Sequence, residues 1–269
     1  MRRDTRAVRG PECDHGRMTP RRPPALVAVS HGTSSPEGRA AVRGLYDAVV
    51  AAVAERWPDA AHETRLCHVD VEQPDVPAAL ATLPEGEAAI IVPLLLSAGY
   101  HVHVDLAEAA AEAREGGREV VVAEALGPDD RLIAVLQRRL AEAGAGEHDP
   151  VVLVVAGSSD VRAVEACERV RDALAEASVA DVSIGFLSAA EPRLPDAIAA
   201  ARAAVAGEHG TDTRVAAASY LLAPGYFQDL AASAAPDVLA EPLLRPDDAP
   251  TELVDIVLDR YAEALARTK

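Results

Sequence analysis

The stretch Ala25-Leu26-Val27-Ala28-Val29-Ser30-His31-Gly32-Thr33-Ser34-Ser35 decides the fold. Its first five residues are an apolar run too short for a stable helix, and small turn-forming residues end it. That pattern marks a strand covered on both faces. Over 36–57 apolar residues then recur at helical spacing (Val42, Leu45, Tyr46, Val49, Val53), and the pattern stops at Pro58. Strand, polar turn and long amphipathic helix form the opening unit of an α/β protein.

Working outward, strands are read at 64–69, 89–96 and 120–123, with helices at 76–83, 104–114 and 130–143. Strands alternating with helices imply right-handed crossovers and a parallel sheet. Residues 144–150 read as a linker, after which the order repeats. Strands fall at 151–155, 182–187, 214–219 and 238–239, with helices at 161–177, 197–205 and 251–266. Specific anchors mark this as a duplication. Ser30-His31-Gly32-Thr33-Ser34 lies over Val155-Ala156-Gly157-Ser158-Ser159, and Glu72-Gln73-Pro74 over Ala190-Glu191-Pro192. Leu95-Leu96-Ser97-Ala98-Gly99-Tyr100 lies over Leu221-Leu222-Ala223-Pro224-Gly225-Tyr226. The expected fold is two similar α/β lobes, each a four-stranded parallel sheet with helices on both faces. The divisions are a basic, disordered tail at 1–22, a first lobe at 23–145 and a second at 146–269.

Composition narrows the function. A formal net charge of −17 argues against nucleic acid and anionic lipid as partners. No apolar run approaches the ~20 residues of a membrane helix. Three scattered cysteines (Cys13, Cys67, Cys167) form neither a disulfide framework nor a CxxC metal motif, which fits a reducing, cytoplasmic setting. Cys67 and Cys167 are read as small core residues. Seven arginines crowd the first 22 residues without an apolar stretch, so this segment reads as a solvated tail or as sequence upstream of a start at Met18. No Walker or G-x-G-x-x-G motif predicts a nucleotide, and neither Ser30 nor Ser34 lies in a G-x-S-x-G elbow.

Since both halves share a fold, positions that differ in chemistry are informative. His31 becomes Ala156, His101 becomes Phe227, Asp70 becomes Ser188 and His68 becomes Phe186. All stand at or just beyond the C-terminal ends of strands, the edge where open parallel sheets bind ligands. Any one histidine has an alternative as a core residue satisfied by the backbone. Together, two neutral imidazoles and a carboxylate suit Fe2+, Co2+, Ni2+ or Zn2+. His103, in an H-x-H pair with His101, is a further candidate ligand or a rim residue. Phe227 is read as inert packing, so that its loss should cost stability rather than chemistry.

These residues resemble a family. Ser-His-Gly-Thr after the first strand, followed by Pro93-Leu94-Leu95-Leu96-Ser97-Ala98-Gly99-Tyr100-His101-Val102-His103-Val104-Asp105-Leu106, is similar to the class II chelatases of sirohydrochlorin. The resemblance covers roughly 24–266 and is stronger in the first half. It implies insertion of Fe2+ or Co2+ into sirohydrochlorin or a related tetrapyrrole, in sirohaem or cobalamin synthesis, with the metal as substrate and no nucleotide. It implies His31 and His101 as the metal-binding and catalytic pair. Asp70 stands where the family often has a Glu, and His68 replaces the usual Phe. Ser30, Thr33, Ser34, Ser35, Arg39, Gly99 and Tyr100 are expected to contact the substrate. The Thr33-Ser34-Ser35 loop would offer helix N–H groups to its carboxylates. The alternative for Arg39 and Arg43 is a solvated helix face. Two lobes in one chain mimic a dimer, so a monomer is expected. The rival reading is a non-catalytic protein that carries a tetrapyrrole or metal.

Overall fold

The computed structural model describes residues 22–58, 62–97, 99, 104–206 and 214–267. The first sheet contains β1 (Ala25–Ser30), β2 (Thr64–His68), β3 (Ala89–Pro93) and β4 (Val120–Val122), ordered β2-β1-β3-β4 and all parallel. The second repeats it with β5 (Val151–Val155), β6 (Val182–Phe186), β7 (Ala216–Tyr220) and β8 (Val238–Leu239), ordered β6-β5-β7-β8. Helices α1 (Pro36–Arg56), α2 (Val76–Ala81), α3 (Asp105–Glu115) and α4 (Asp130–Glu142) connect and follow the first four strands. Helices α5 (Val161–Glu176), α6 (Leu194–Ala206), α7 (Tyr226–Ser233) and α8 (Thr251–Arg267) do so for the second. The two-lobe α/β expectation is met. Among the described residues, no helix is long and apolar enough to cross a membrane.

Strand alternation divides the cores. Leu26 and Ala28 of β1 and Val151, Leu153 and Val155 of β5 enter one shared core between the sheets. Ala25, Val27 and Val29 face an outer core with α2 and α3, and Val152 and Val154 face another with α6 and α7. Helices start where short acceptors satisfy their free N–H groups: Ser35 for α1, Asp75 for α2, Asp129 for α4 and Asp160 for α5. Cys67 and Cys167 are buried free thiols, as expected of core residues, and burial pushes the Cys67 thiol up to about 12.

The closing helices do not stay at home. Helix α4, which ends the first half of the chain, packs on β7 of the second sheet, and α8, which ends the second, packs on β3 and α1 of the first. Hydrogen bonds follow the exchange. Tyr261 on α8 donates to the Pro24 carbonyl at 2.6 Å, and Tyr220 on β7 donates to the Leu96 carbonyl at 3.0 Å. Arg139 on α4 is 1% exposed and donates to the carbonyls of Pro242 at 3.1 Å and Leu243 at 2.9 Å. Its Nη1 also pairs with Asp248 at 2.8 Å.

Candidate active site

Each β-strand delivers its successor loop to one edge of the sheets. At the end of β1 the chain must turn sharply past β2. Gly32 does so at a φ of +92°, with its Cα so close to the Asp70 carbonyl that any Cβ would collide with it. Gly157 repeats this in the second lobe at a φ of +90°, against the Ser188 carbonyl. The Val69 amide donates to the Ser30 carbonyl and the Asp70 amide to the His31 carbonyl, both at 2.9 Å. His31 and Asp70 are thereby backbone neighbours, and both side chains are exposed. The Asp70 Oδ1 accepts the Val71 amide at 2.7 Å, which ties that carboxylate into its own turn.

Beneath His31 lies a polar network. The His68 ring is buried, with Nδ1 2.8 Å from the Ser30 hydroxyl. Burial lowers its pKa, the Glu72 carboxylate opposes that, and Arg43 and Arg39 add to it; the net direction is down. Glu72 accepts the Thr33 amide at 2.8 Å through Oε1, and its Oε2 stands 3.3 Å from Arg39 Nε. Arg39 Nε also donates to the Thr33 carbonyl at 2.9 Å. One carboxylate and one guanidinium therefore clamp the loop that carries His31.

Several expected substrate contacts have structural duties here. Ser35 caps α1, accepting the Gly38 amide at 3.1 Å. Thr33 Oγ1 accepts the Ser35 amide at 3.1 Å, and Ser30 accepts the Gly32 amide at 3.2 Å. Ser34 is exposed, and the Arg39 side chain is half exposed. Gly99 approaches Ser158 and Ala163 of the other lobe. Tyr100, His101 and His103 lie outside the described residues. Among the described residues no group of three or more His, Cys, Asp or Glu side chains is placed to hold a metal ion.

Sequence reasoning missed Glu72. The signal was in the repeat itself, since Glu72 lies over Ala190 by the same comparison that singled out His31 and His68. Phe227 requires a correction. It is more open than inert packing implies: it is 37% exposed and its ring contacts Tyr226, itself 69% exposed, at 5.6 Å between centroids. Asp105 is the first residue of α3, with Val104 in the cap position. A hollow of about 710 Å³, lined by Trp57, His62, Glu87 and Ile90, opens where β1 and β3 begin. It lies a strand's length from His31, at the opposite edge of the sheet.

The sequence model of the CbiX family matches residues 25–143 and 150–242, which takes in both sheets and both exit loops. The chain belongs to the CbiX family. Its members are the class II sirohydrochlorin chelatases, and the two-lobe architecture agrees with theirs. The structure of SirB from Bacillus subtilis with Fe3+ superposes at a TM-score of 0.75, with 17% identity, covering 91% of this chain and 97% of that one. The sirohydrochlorin chelatase SirB from Bacillus subtilis subspecies spizizenii, in complex with cobalt, gives 0.70 at 16% identity, covering 91% and 96%. CbiX, described as the terminal enzyme for biosynthesis of sirohaem in denitrifying bacteria, gives 0.57 at 16%, covering 87% and 98%. No curated protein matches the sequence significantly. At these identities the solved structures establish the fold.

Proposed function

We propose that this protein inserts Fe2+ or Co2+ into sirohydrochlorin or a closely related tetrapyrrole, within sirohaem or cobalamin synthesis. Family membership supports the reaction class. The observation that carries the assignment to the first lobe is the His31 loop: an exposed imidazole beside Asp70, clamped from below by Glu72 and Arg39, with Ala156 and Ala190 in the equivalent places of the second lobe.

Insertion exchanges two pyrrole N–H protons for one divalent ion. His31 and His101 hold the incoming metal, the substrate, and accept the departing protons, a task suited to imidazole, which serves both as metal ligand and as base. Asp70 adds negative charge beside His31. The clamp fixes the imidazole's position, because a loop that wandered by an ångström would lose much of the advantage of holding metal and ring together. His103 is an additional ligand from the same segment as His101. We further propose that the chain works as a cytoplasmic monomer built from a 23–145 lobe bearing the site and a 146–269 lobe without the histidines.

The test is metal insertion followed by absorbance, with purified protein, sirohydrochlorin and Fe2+ or Co2+, against the spontaneous rate. His31→Ala and His101→Ala should each lose most of the acceleration while remaining folded. Full activity in either variant removes that histidine from the mechanism. A second reading, a carrier of metal or tetrapyrrole, draws support from the Asp70 carboxylate being bonded to Val71. A carrier would bind both substrates without turnover when they are in excess.

A further inference from the structure

Five large apolar side chains are exposed among the described residues, Val71, Val161, Val179 and Tyr226 by more than half and Phe227 by 37%. All but Val179 stand at strand exits. Val71 follows β2, Val161 opens the helix after β5, and Tyr226 and Phe227 open the helix after β7. Exposed apolar groups gathered beside a polar loop mark a binding surface, whereas solitary ones need no explanation.

The aromatic pair belongs to the second lobe but sits against the first. A Cβ on Gly225, whose φ is +153°, would stand 3.3 Å from Thr33 Oγ1 and 3.6 Å from the Ser35 Cβ. Gly38 on α1 is closed over by the Pro224 carbonyl in the same way. Tyr226 is the next residue along, so the two rings begin one peptide unit from the loop that carries His31. A Cβ at position 225 would already be tight against the Thr33 hydroxyl. Two rings offer far less area than the ~800 Å² per partner of a stable protein interface. They match a flat, conjugated small molecule instead.

We propose that Tyr226 and Phe227 form an aromatic shelf on which the tetrapyrrole rests beside the His31 loop, so that the lobe without histidines supplies substrate binding. The inference rests on the chelatase reading for the identity of the ligand, and on the exposed pair for its place. Stacking requires the rings and not the Tyr226 hydroxyl.

The experiment compares wild type, Tyr226→Phe and the double variant Tyr226→Ala/Phe227→Ala. Two probes are used: metal-free sirohydrochlorin, and a synthetic tetracarboxyphenyl porphyrin as a generic flat macrocycle. Affinity is read from the absorbance shift, and KM and kcat from cobalt insertion. The double variant should bind both probes about tenfold or more weakly, as removal of stacking aromatics does elsewhere. Its KM should rise with kcat nearly unchanged, its melting temperature should hold, and Tyr226→Phe should behave as wild type. Unchanged affinity in a folded double variant overturns the shelf, even where wild type inserts cobalt. Ring-dependent binding of the porphyrin by a wild type that fails to metallate sirohydrochlorin keeps the shelf and removes the chelatase reading. A wild type that binds neither probe overturns both.

Discussion

The Glu72 carboxylate and the Thr33 amide meet at 2.8 Å, across 39 residues of chain, and this bond joins the exits of β1 and β2. Replacing Glu72 by Ala strands that amide and removes the carboxylate partner of Arg39. A hydrogen bond to a charged group contributes about 1.5–3 kcal/mol, and partial exposure of this one places it toward the lower end. Glu72→Ala should therefore lower stability by about 1–2 kcal/mol and reduce kcat/KM for insertion more than tenfold. Glu72→Gln keeps an acceptor for Thr33 and should recover most of the stability. Denaturant melts and insertion kinetics on the two variants check this.

Gly32 and Gly157 provide a matched pair. Each has a positive φ and no room for a Cβ. Gly32→Ala and Gly157→Ala should each cost about 2 kcal/mol or more from strain and displacement. Only Gly32→Ala should also lose insertion activity well beyond what its residual folded fraction explains. Equal losses of activity in the two would mean that the second lobe's loop takes part in the chemistry.

Arg139 is buried on α4 and holds two carbonyls and Asp248 of the second lobe. Arg139→Met removes the buried charge and leaves the two carbonyls without this donor, while Asp248 keeps Arg245 at 2.8 Å. The expected cost is about 2–4 kcal/mol, mostly from the unsatisfied buried carbonyls. Urea unfolding is the measurement. Asp248→Asn, which keeps an acceptor, should cost less.

Acid should weaken the fold through His62, whose imidazole lies tilted against Trp57 and whose pKa burial holds below the ordinary value. The neighbouring Tyr261 ring and hydroxyl also face it, Nδ1 lying 3.4 Å from the hydroxyl. In this direction the unfolded chain binds the proton more readily. Stability is thus level above about pH 6.5 and falls as pH drops from there toward the lower folded pKa. His62→Phe keeps an aromatic against Trp57 and should flatten melting temperature between pH 5 and 7. An unaltered slope would assign the acid sensitivity to His68 or to carboxylates.

Much of this was legible locally. Apolar runs, Gly turns and short caps placed seven of the eight helices and all eight strands of the described chain, and repetition of the exit loops exposed the duplication. Helix α7 escaped because it is only eight residues long, too short for a clear helical period. The partial exposure of Phe227 was not legible because identity alone does not fix how far a ring is buried. Glu72 was overlooked since an acid between strand and helix usually meets water. The exchange of α4 and α8 depends on contacts between residues far apart in the chain, such as Arg139 with the Leu243 carbonyl, 104 positions on, and no local pattern carries that. His101, the residue most heavily weighted by the family resemblance, lies outside the described residues, so its test is the insertion assay.

The crossing of α4 and α8 has an evolutionary corollary. A gene specifying a single repeat would yield a polypeptide whose last helix leaves its own sheet bare and seeks another. Such an ancestor would be stable only in pairs, each copy sealing the other. Fusion of two copies into one chain would preserve that reciprocal seal while freeing one member to shed its imidazoles.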